Sequence, residues 1–300
     1  MKKLVVLFLG FISVFSASSQ NITRMLGSSP FQDSLWIIDT SSFTVVRRIG
    51  PTPSTGGAFT GMNGIARNPL SGTIYVVNKQ SAVSGRVLGT LNPLTGVVNI
   101  IGNLGDNFSS ITFTSDGKLY GTVGDGGTAL ESLFQIDTAT AAVRLVKTLG
   151  NGNDGEVICY DPSDNMLYHW SGNGTIVFEK FDTITGPYNF TNIPIIGTTN
   201  GETFGAVNIG PGKFITSNIG SSFNRFYSSG VVDPQFGSNP DDLRGLAFIT
   251  CPRTISGPSG ICIGSTATIS APAGAVSYQW YKAGVLLAGE TNQTLVVSTT

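Results

Sequence analysis

An internal repeat constrains this chain more than any other feature of its sequence. Leu35-Trp36-Ile37-Ile38-Asp39-Thr40 and Leu133-Phe134-Gln135-Ile136-Asp137-Thr138 are close copies, with weaker ones at 87–93 and 177–183. Each copy leads into an apolar stretch that stops at glycine: Ile49-Gly50, Ile101-Gly102, Leu149-Gly150 and Ile196-Gly197. A second unit interleaves with the first. In it an apolar run, a turn and an apolar–aromatic pair follow one another, as at 65–69 before Ile74-Tyr75, 111–113 before Leu119-Tyr120 and 158–162 before Leu167-Tyr168. The unit starts at 65, 111, 158, 206 and 246, in steps of 46, 47, 48 and 40 residues.

Short alternating runs rich in β-branched and aromatic side chains form strands. Asn-Pro, Asp-Gly, Asp-Pro and Pro-Gly pairs between them form tight turns. Four strands in a period of about 40–50 residues make one blade of a β-propeller. The expected fold class is therefore all-β, a propeller of about five four-stranded blades. Residues 244–249 form a last inner strand with no outer partners after it, while residues 21–26 sit where a second strand belongs. The N-terminal strand is thus expected to complete the last blade, which leaves no open sheet edge at the seam. Two alternatives stand beside this reading: a sixth, degenerate blade hidden in 220–240, and a β-sandwich made of the same strands.

Ahead of the repeat, Lys2 and Lys3, an apolar run from Leu4 to Phe15 and the small residues Ser16-Ala17-Ser18-Ser19 form the three-part pattern of a signal peptide over 1–19. The run is too short for a permanent membrane anchor, and no later run reaches about 18 apolar residues, so no transmembrane segment is expected. The propeller would then span 20–250 of a secreted or cell-surface protein. Without Lys2 and Lys3, 15 basic residues face 18 acidic ones, a net charge of −3 with no basic stripe. That excludes nucleic acid as a natural partner. Charged residues make up only 12% of the chain, about half of the roughly 25% in an average domain, so catalytic side chains are scarce.

Composition changes at Cys251-Pro252. Residues 265–270 alternate as a strand, 277–282 carry Trp280, and 293–297 alternate again. A Cys before one strand and a Trp on the next is the arrangement of an Ig-like β-sandwich with Trp280 in its core. Such a domain takes about 100 residues, so 251–300 is expected to be a truncated Ig-like module and the chain a fragment of a longer protein.

The repeat resembles the LYxIDxxTG type of secreted bacterial propeller domain over residues 21–250. Ile261-Cys262-Ile263-Gly264-Ser265 with Tyr278-Gln279-Trp280-Tyr281 resembles the Ig-like modules of Bacteroidetes surface proteins exported by type IX secretion. In those modules the Cys matching Cys262 often pairs with a later Cys. A Cys251–Cys262 disulfide is the other reading. The resemblance implies a fold rather than an activity, because propellers of this pattern host many roles.

Aligning the inner strands puts Asn63, Ser109, Glu156, Phe204 and Arg244 at one position, at a mouth of the propeller, with Gly61, Asn107, Asp154, Glu202 and Asp242 two residues earlier. Asp154, Glu156, Glu202 and Asp242 are therefore the candidate ligand or metal residues. Carboxylates converging from several blades would bind a cation or polarise a sugar; the bland alternative is a set of solvated loops. Residues 151–156 are oxygen-rich and Gly-relieved like a calcium loop, without EF-hand spacing, so calcium is the one cofactor candidate. Asp39, Asp137 and Asp182 recur at one blade position and are expected to cap their own turns. His169, the only histidine, is expected to be ordinary and half-buried, and Cys159 a buried free thiol. Tyr188, Phe190, Phe223, Phe226 and Tyr227 fall in loop-like stretches and are candidates for stacking on sugars.

Sparse titratable groups and a modular layout favour a non-enzymatic binding or adhesion-type protein, its propeller facing an extracellular glycan or protein ligand. A glycan hydrolase or lyase using Asp154, Glu202 and Asp242 is the alternative, and a structural spacer the third reading.

Overall fold

A computed structural model describes residues 15–16, 24–31, 34–129, 131–149, 156–172, 176–182, 189–199, 201–219, 222–238, 241–249, 265–270, 280–282, 285–287 and 289–298. The chain divides into a unit spanning Thr23–Ile249 and a second containing Thr250–Thr300 with the N-terminal segment.

The larger unit is a five-bladed propeller. Blade 1 runs outward through Phe59–Arg67, Ile74–Gln80, Val87–Leu91 and Val97–Asn103. Blade 2 comprises Phe108–Phe113, Leu119–Val123, Ser132–Ile136 and Val143–Thr148. Blade 3 comprises Val157–Asp161, Met166–Ser171, Val177–Asp182 and Phe190–Asn192. Blade 4 has three full strands, Thr203–Gly210, Lys213–Asn218 and Ser222–Tyr227. Blade 5 takes its inner strand, Gly245–Ile249, from the end of the unit and its outer three, Arg24–Ser28, Leu35–Asp39 and Thr44–Ile49, from the start. Met25 pairs with Phe248 on one side and Ile38 on the other, so the N-terminal strand closes the ring as expected.

Alternation along each strand explains why the blades stack. Successive side chains point to opposite faces, and each face meets a different neighbour. In blade 3, Val157, Cys159, Tyr168 and Trp170 pack with Phe214 and Phe226 of blade 4, whereas Ile158, Tyr160 and Leu167 pack with Tyr120 and Leu133 of blade 2. Five apolar clusters result, one at each seam between blades. The seam between blades 5 and 1 joins Leu26, Leu35 and Ile37 to Met62, Ile65 and Val76. Gly245 is required there, because a Cβ on it would lie 2.5 Å from the Asn63 carbonyl oxygen and 2.8 Å from the Ile65 nitrogen.

Residues 222–236 do not make a sixth blade. Ser222–Tyr227 is the third strand of blade 4, and Val232 and Phe236 bridge to Phe226 and Phe223 in place of a fourth. This overturns the loop assignment of two aromatics: Phe223 and Phe226 are fully buried, in the seams to blades 5 and 3. Phe190 packs on Phe181 in blade 3, while Tyr188 lies outside the described residues.

The recurring aspartates hold turns. Asp39 Oδ1 accepts hydrogen bonds from the Ser41 N–H and hydroxyl (2.7 and 2.6 Å), and Asp137 Oδ1 accepts from the N–H groups of Ala139 and Thr140 (2.8 and 2.9 Å). Asn92 does the same for Leu94 in blade 1 at 2.9 Å. Asp182 closes its strand, and the turn beyond it lies outside the described residues. Cys159 is a free, buried thiol, its pKa pushed up to about 12 by loss of solvation.

In the second unit, Thr266–Ser270 pairs antiparallel with Thr294–Ser298, and Tyr281–Lys282 pairs with Val285–Leu286 and with Phe15–Ser16. Trp280 is buried against Ile269, Leu295 and Val297 and donates its indole N–H to the Asn292 carbonyl at 2.8 Å. Cys251 and Cys262 lie outside the described residues. Among the described residues no helix is long and apolar enough to cross a membrane.

Candidate functional site

The aligned position at the start of each inner strand is a place where the ladder breaks. Blade 1 shifts register between Met62 and Ile65, blade 2 between Phe108 and Ser110, and blade 4 between Thr203 and Gly205. A β-bulge leaves its extra residue unpaired and re-aims the side chain. Asn63 with Gly64, Ser109 and Phe204 are the residues left out of the ladder. In blade 5, Arg244 directly precedes the strand, its N–H donated to the Ser28 carbonyl at 2.8 Å.

Two adjoining clefts open at these bulges. The larger, ≈ 260 Å³, is walled by Pro30, Phe31, Thr60, Asn63, Lys79, Arg86 and Arg244. The smaller, ≈ 70 Å³, shares Asn63, Arg86 and Arg244 and adds Asn107, Ser109, Gly124 and Asp125. Blades 1, 2 and 5 thus meet at one mouth.

Its chemistry is cationic on balance: among the described residues Lys79, Arg86 and Arg244 line the two clefts against the single carboxylate of Asp125. Arg86 is anchored through its backbone, N–H to the Asp106 carbonyl at 3.0 Å and carbonyl to the Leu104 N–H at 2.8 Å. The guanidinium of Arg244 lies 4.1 Å from the Phe204 ring centroid and 5.6 Å from that of Phe31. The Nε atoms of Arg86 and Arg244 are both buried and meet no hydrogen-bond acceptor among the described residues. Neither side chain forms an ion pair with a described carboxylate. Burial, and then the charge of Arg244, hold the Arg86 pKa below its usual value.

The carboxylates expected at this mouth are arranged differently. Glu156 turns into the seam between blades 2 and 3. There its Oε2 contacts His169 Nε2 and its Oε1 accepts the Ser171 hydroxyl at 2.8 Å. His169 is fully buried rather than half-buried, because Glu179 on the next strand reaches its Nδ1 at 3.0 Å. Glu202 is buried at the entry to blade 4, its carbonyl accepting the Ile219 N–H at 2.9 Å. Asp242 is half-buried; burial raises its pKa most, Arg244 opposes that and Asp241 adds to it. Asp154 lies outside the described residues. Among the described residues no group of three or more His, Cys, Asp or Glu is placed to hold a metal ion.

Asn63, Ser109 and Arg244 share one aligned row of the sequence in which the acids stand out, and Arg86 lies outside that row. Arg86 directly precedes the third strand of blade 1, where blades 5, 2 and 3 carry Ser34, Glu131 and Ile176. No chemical pattern marks that position.

Comparison with known proteins supports the fold alone. The chain is similar to a protein of unknown function from Bacteroides caccae, with a TM-score of 0.51 and 10% identity over 76% of this chain and 99% of the other. No family model matches, and no curated protein matches.

Proposed function

We propose that this chain is an exported, non-enzymatic binding protein whose propeller holds its ligand where blades 1, 2 and 5 meet. The observation that carries the reading is the pair of clefts sharing Asn63, Arg86 and Arg244. They offer fixed hydrogen-bonding groups at one opening, as ligand sites do. Glycoside hydrolysis calls for two carboxyl groups flanking a bond. Glu156 is instead committed to His169 and Ser171, Glu202 and Asp242 do not line these clefts, and Asp125 is the one carboxylate among the described residues that does. The three-part N-terminal signal pattern supports export, and Trp280 with the strand pair at 266–270 and 294–298 supports an Ig-like spacer.

The test is to pass the full chain over a panel of extracellular glycans and proteins by surface plasmon resonance, then chromatograph each mixture after long incubation. Saturable binding with the ligand recovered intact is expected, and Asn63→Ala should weaken it. Time-dependent breakdown of the bound ligand would replace this reading with the enzymatic one.

A further inference from the structure

We infer that the ligand is an acidic saccharide, whose oxyanion, a carboxylate or a sulfate, docks between Arg86 and Arg244. The inference rests on the binding role proposed above and identifies the chemistry of that ligand.

Two cations are held close at this mouth against their own repulsion. Burying a guanidinium donor without an acceptor costs free energy, yet the Nε atoms of both arginines are buried with no partner among the described residues. An oxyanion entering the shared cleft relieves both costs. It accepts the free N–H groups and neutralises the charges, and guanidinium matches oxyanions through paired donors. Arg244 is held for this in advance, stacked on Phe204 and flanked by Phe31; a donor fixed before binding loses less entropy on binding. Lys79 adds a third cation to the wall of the larger cleft. The whole chain carries a net charge of −1, so this cationic mouth is a local feature.

The rest of the site selects what carries the oxyanion. Thr60, Asn63, Asn107 and Ser109 present hydroxyls and amides that both donate and accept, which suits sugar hydroxyls. Phe31 is 67% exposed at the rim and offers an apolar ring face for stacking. The larger cleft, ≈ 260 Å³, falls just below the roughly 300–1,000 Å³ of sites for drug-sized ligands. It accepts one sugar-sized unit, and its opening lets a longer chain continue outward.

The experiment is calorimetric titration of the full chain with an oligogalacturonate, its methyl ester, a sulfated disaccharide and the neutral disaccharide. Binding is expected for the acidic members, with the carboxylated and sulfated ligands separating the two oxyanion sources. Esterification, Arg86→Gln and Arg244→Gln should each weaken it about tenfold or more. Arg244→Lys should not restore it, because the planar fork is lost. Thermal melts keep the test independent of ligand choice. Arg86→Gln should melt no lower than the parent without ligand, since it removes a buried Nε donor that has no acceptor among the described residues and a charge beside Arg244. The parent should gain more from inorganic sulfate than the doubly substituted protein at equal ionic strength. Equal binding of neutral and acidic saccharides that is sensitive to Asn63→Ala overturns the oxyanion and leaves the binding role intact. Binding of none of the four, together with a sulfate response unchanged by the substitutions, also overturns the oxyanion inference. The binding role itself falls only if the broader panel yields no ligand.

Discussion

His169 and Glu179 face each other across neighbouring strands of blade 3, Nδ1 and Oε1 3.0 Å apart, with Glu156 against the opposite ring nitrogen. Burial opposes the charged ring and is the largest single influence. The hydrogen bonds and charges of Glu156 and Glu179 outweigh it, and the pKa rises to about 9 from 6.5. A folded-state pKa above the unfolded one stabilises fully below the unfolded value and loses that contribution as pH climbs through the folded one. The contribution of His169 should therefore be constant up to about pH 6.5 and fall by roughly 1–3 kcal/mol toward pH 10. His169→Gln leaves two buried carboxylates without their cation and should cost about 3–5 kcal/mol near neutrality. It should also flatten the decline between pH 7 and 10. Urea unfolding across that range checks both, and an unaltered decline in the variant would dismiss the triad as its source.

The ring closes on a glycine. Gly245→Ala would push a methyl group into the blade 1 backbone at Asn63 and Ile65. Overpacking of this kind costs about 1–3 kcal/mol, or roughly 2–4 °C of melting temperature per kcal/mol in a unit of this size. Gly50→Ala is the control, since nothing lies within 4 Å of its added Cβ. Scanning calorimetry should separate the two, and matching melts would mean that the seam has slack.

What could be read from the sequence follows from which signals repeat. Period-two alternation at 157–160 places Ile158 and Cys159 in different seams, and that alternation is visible in the letters. The blade count, the closing strand and the capping aspartates all rest on such recurrences. The mouth where blades 1, 2 and 5 meet does not recur. Asn63, Ser109 and Phe204 project from bulges, and a bulge depends on pairing with a partner strand rather than on its own residues. Arg86 and Arg244 come from different blades and are joined only by ring closure. Glu156 aligns with the mouth residues, yet His169 on the next strand draws it inward. Phe223 and Phe226 looked like loop residues because serine and glycine surround them, while burial on both faces of their strand hides the alternation.

The capping aspartates act as acceptors, and this is separable from their charge. Asp39→Ala removes the acceptor for the Ser41 N–H and hydroxyl and should lower the melting temperature slightly. Asp39→Asn should recover most of the loss, as Asn92 performs the same task in blade 1. The Asp39 carboxyl is held below its usual pKa, first by the Ser41 hydroxyl and then by the Ser41 N–H. Its contribution is thus present above the unfolded value near 3.8 and disappears as pH drops through the folded one. The asparagine variant should lack that acid-side dependence in melts from pH 6 to 3.

Asp106 differs because it uses both carboxylate oxygens. Oδ1 accepts from the N–H groups of Asn107 and Thr128, each at 2.8 Å, and Oδ2 accepts from Ala129 at 2.9 Å. These bonds fix the segment that carries Gly124 and Asp125 in the wall of the smaller cleft, and the Asp106 carbonyl also accepts the Arg86 N–H. Asparagine at 106 would turn an amide donor toward one of these N–H groups, leaving it unsatisfied. Asp106→Asn should therefore cost nearly as much as Asp106→Ala, about 1–2 kcal/mol, unlike the Asp39 pair. Hydrogen exchange should quicken at Thr128 and Ala129 in both variants, and ligand should dissociate faster as the cleft wall loosens. A stable Asp106→Asn protein with wild-type protection at Thr128 would show that the segment holds itself and that Asp106 has no part in shaping the mouth.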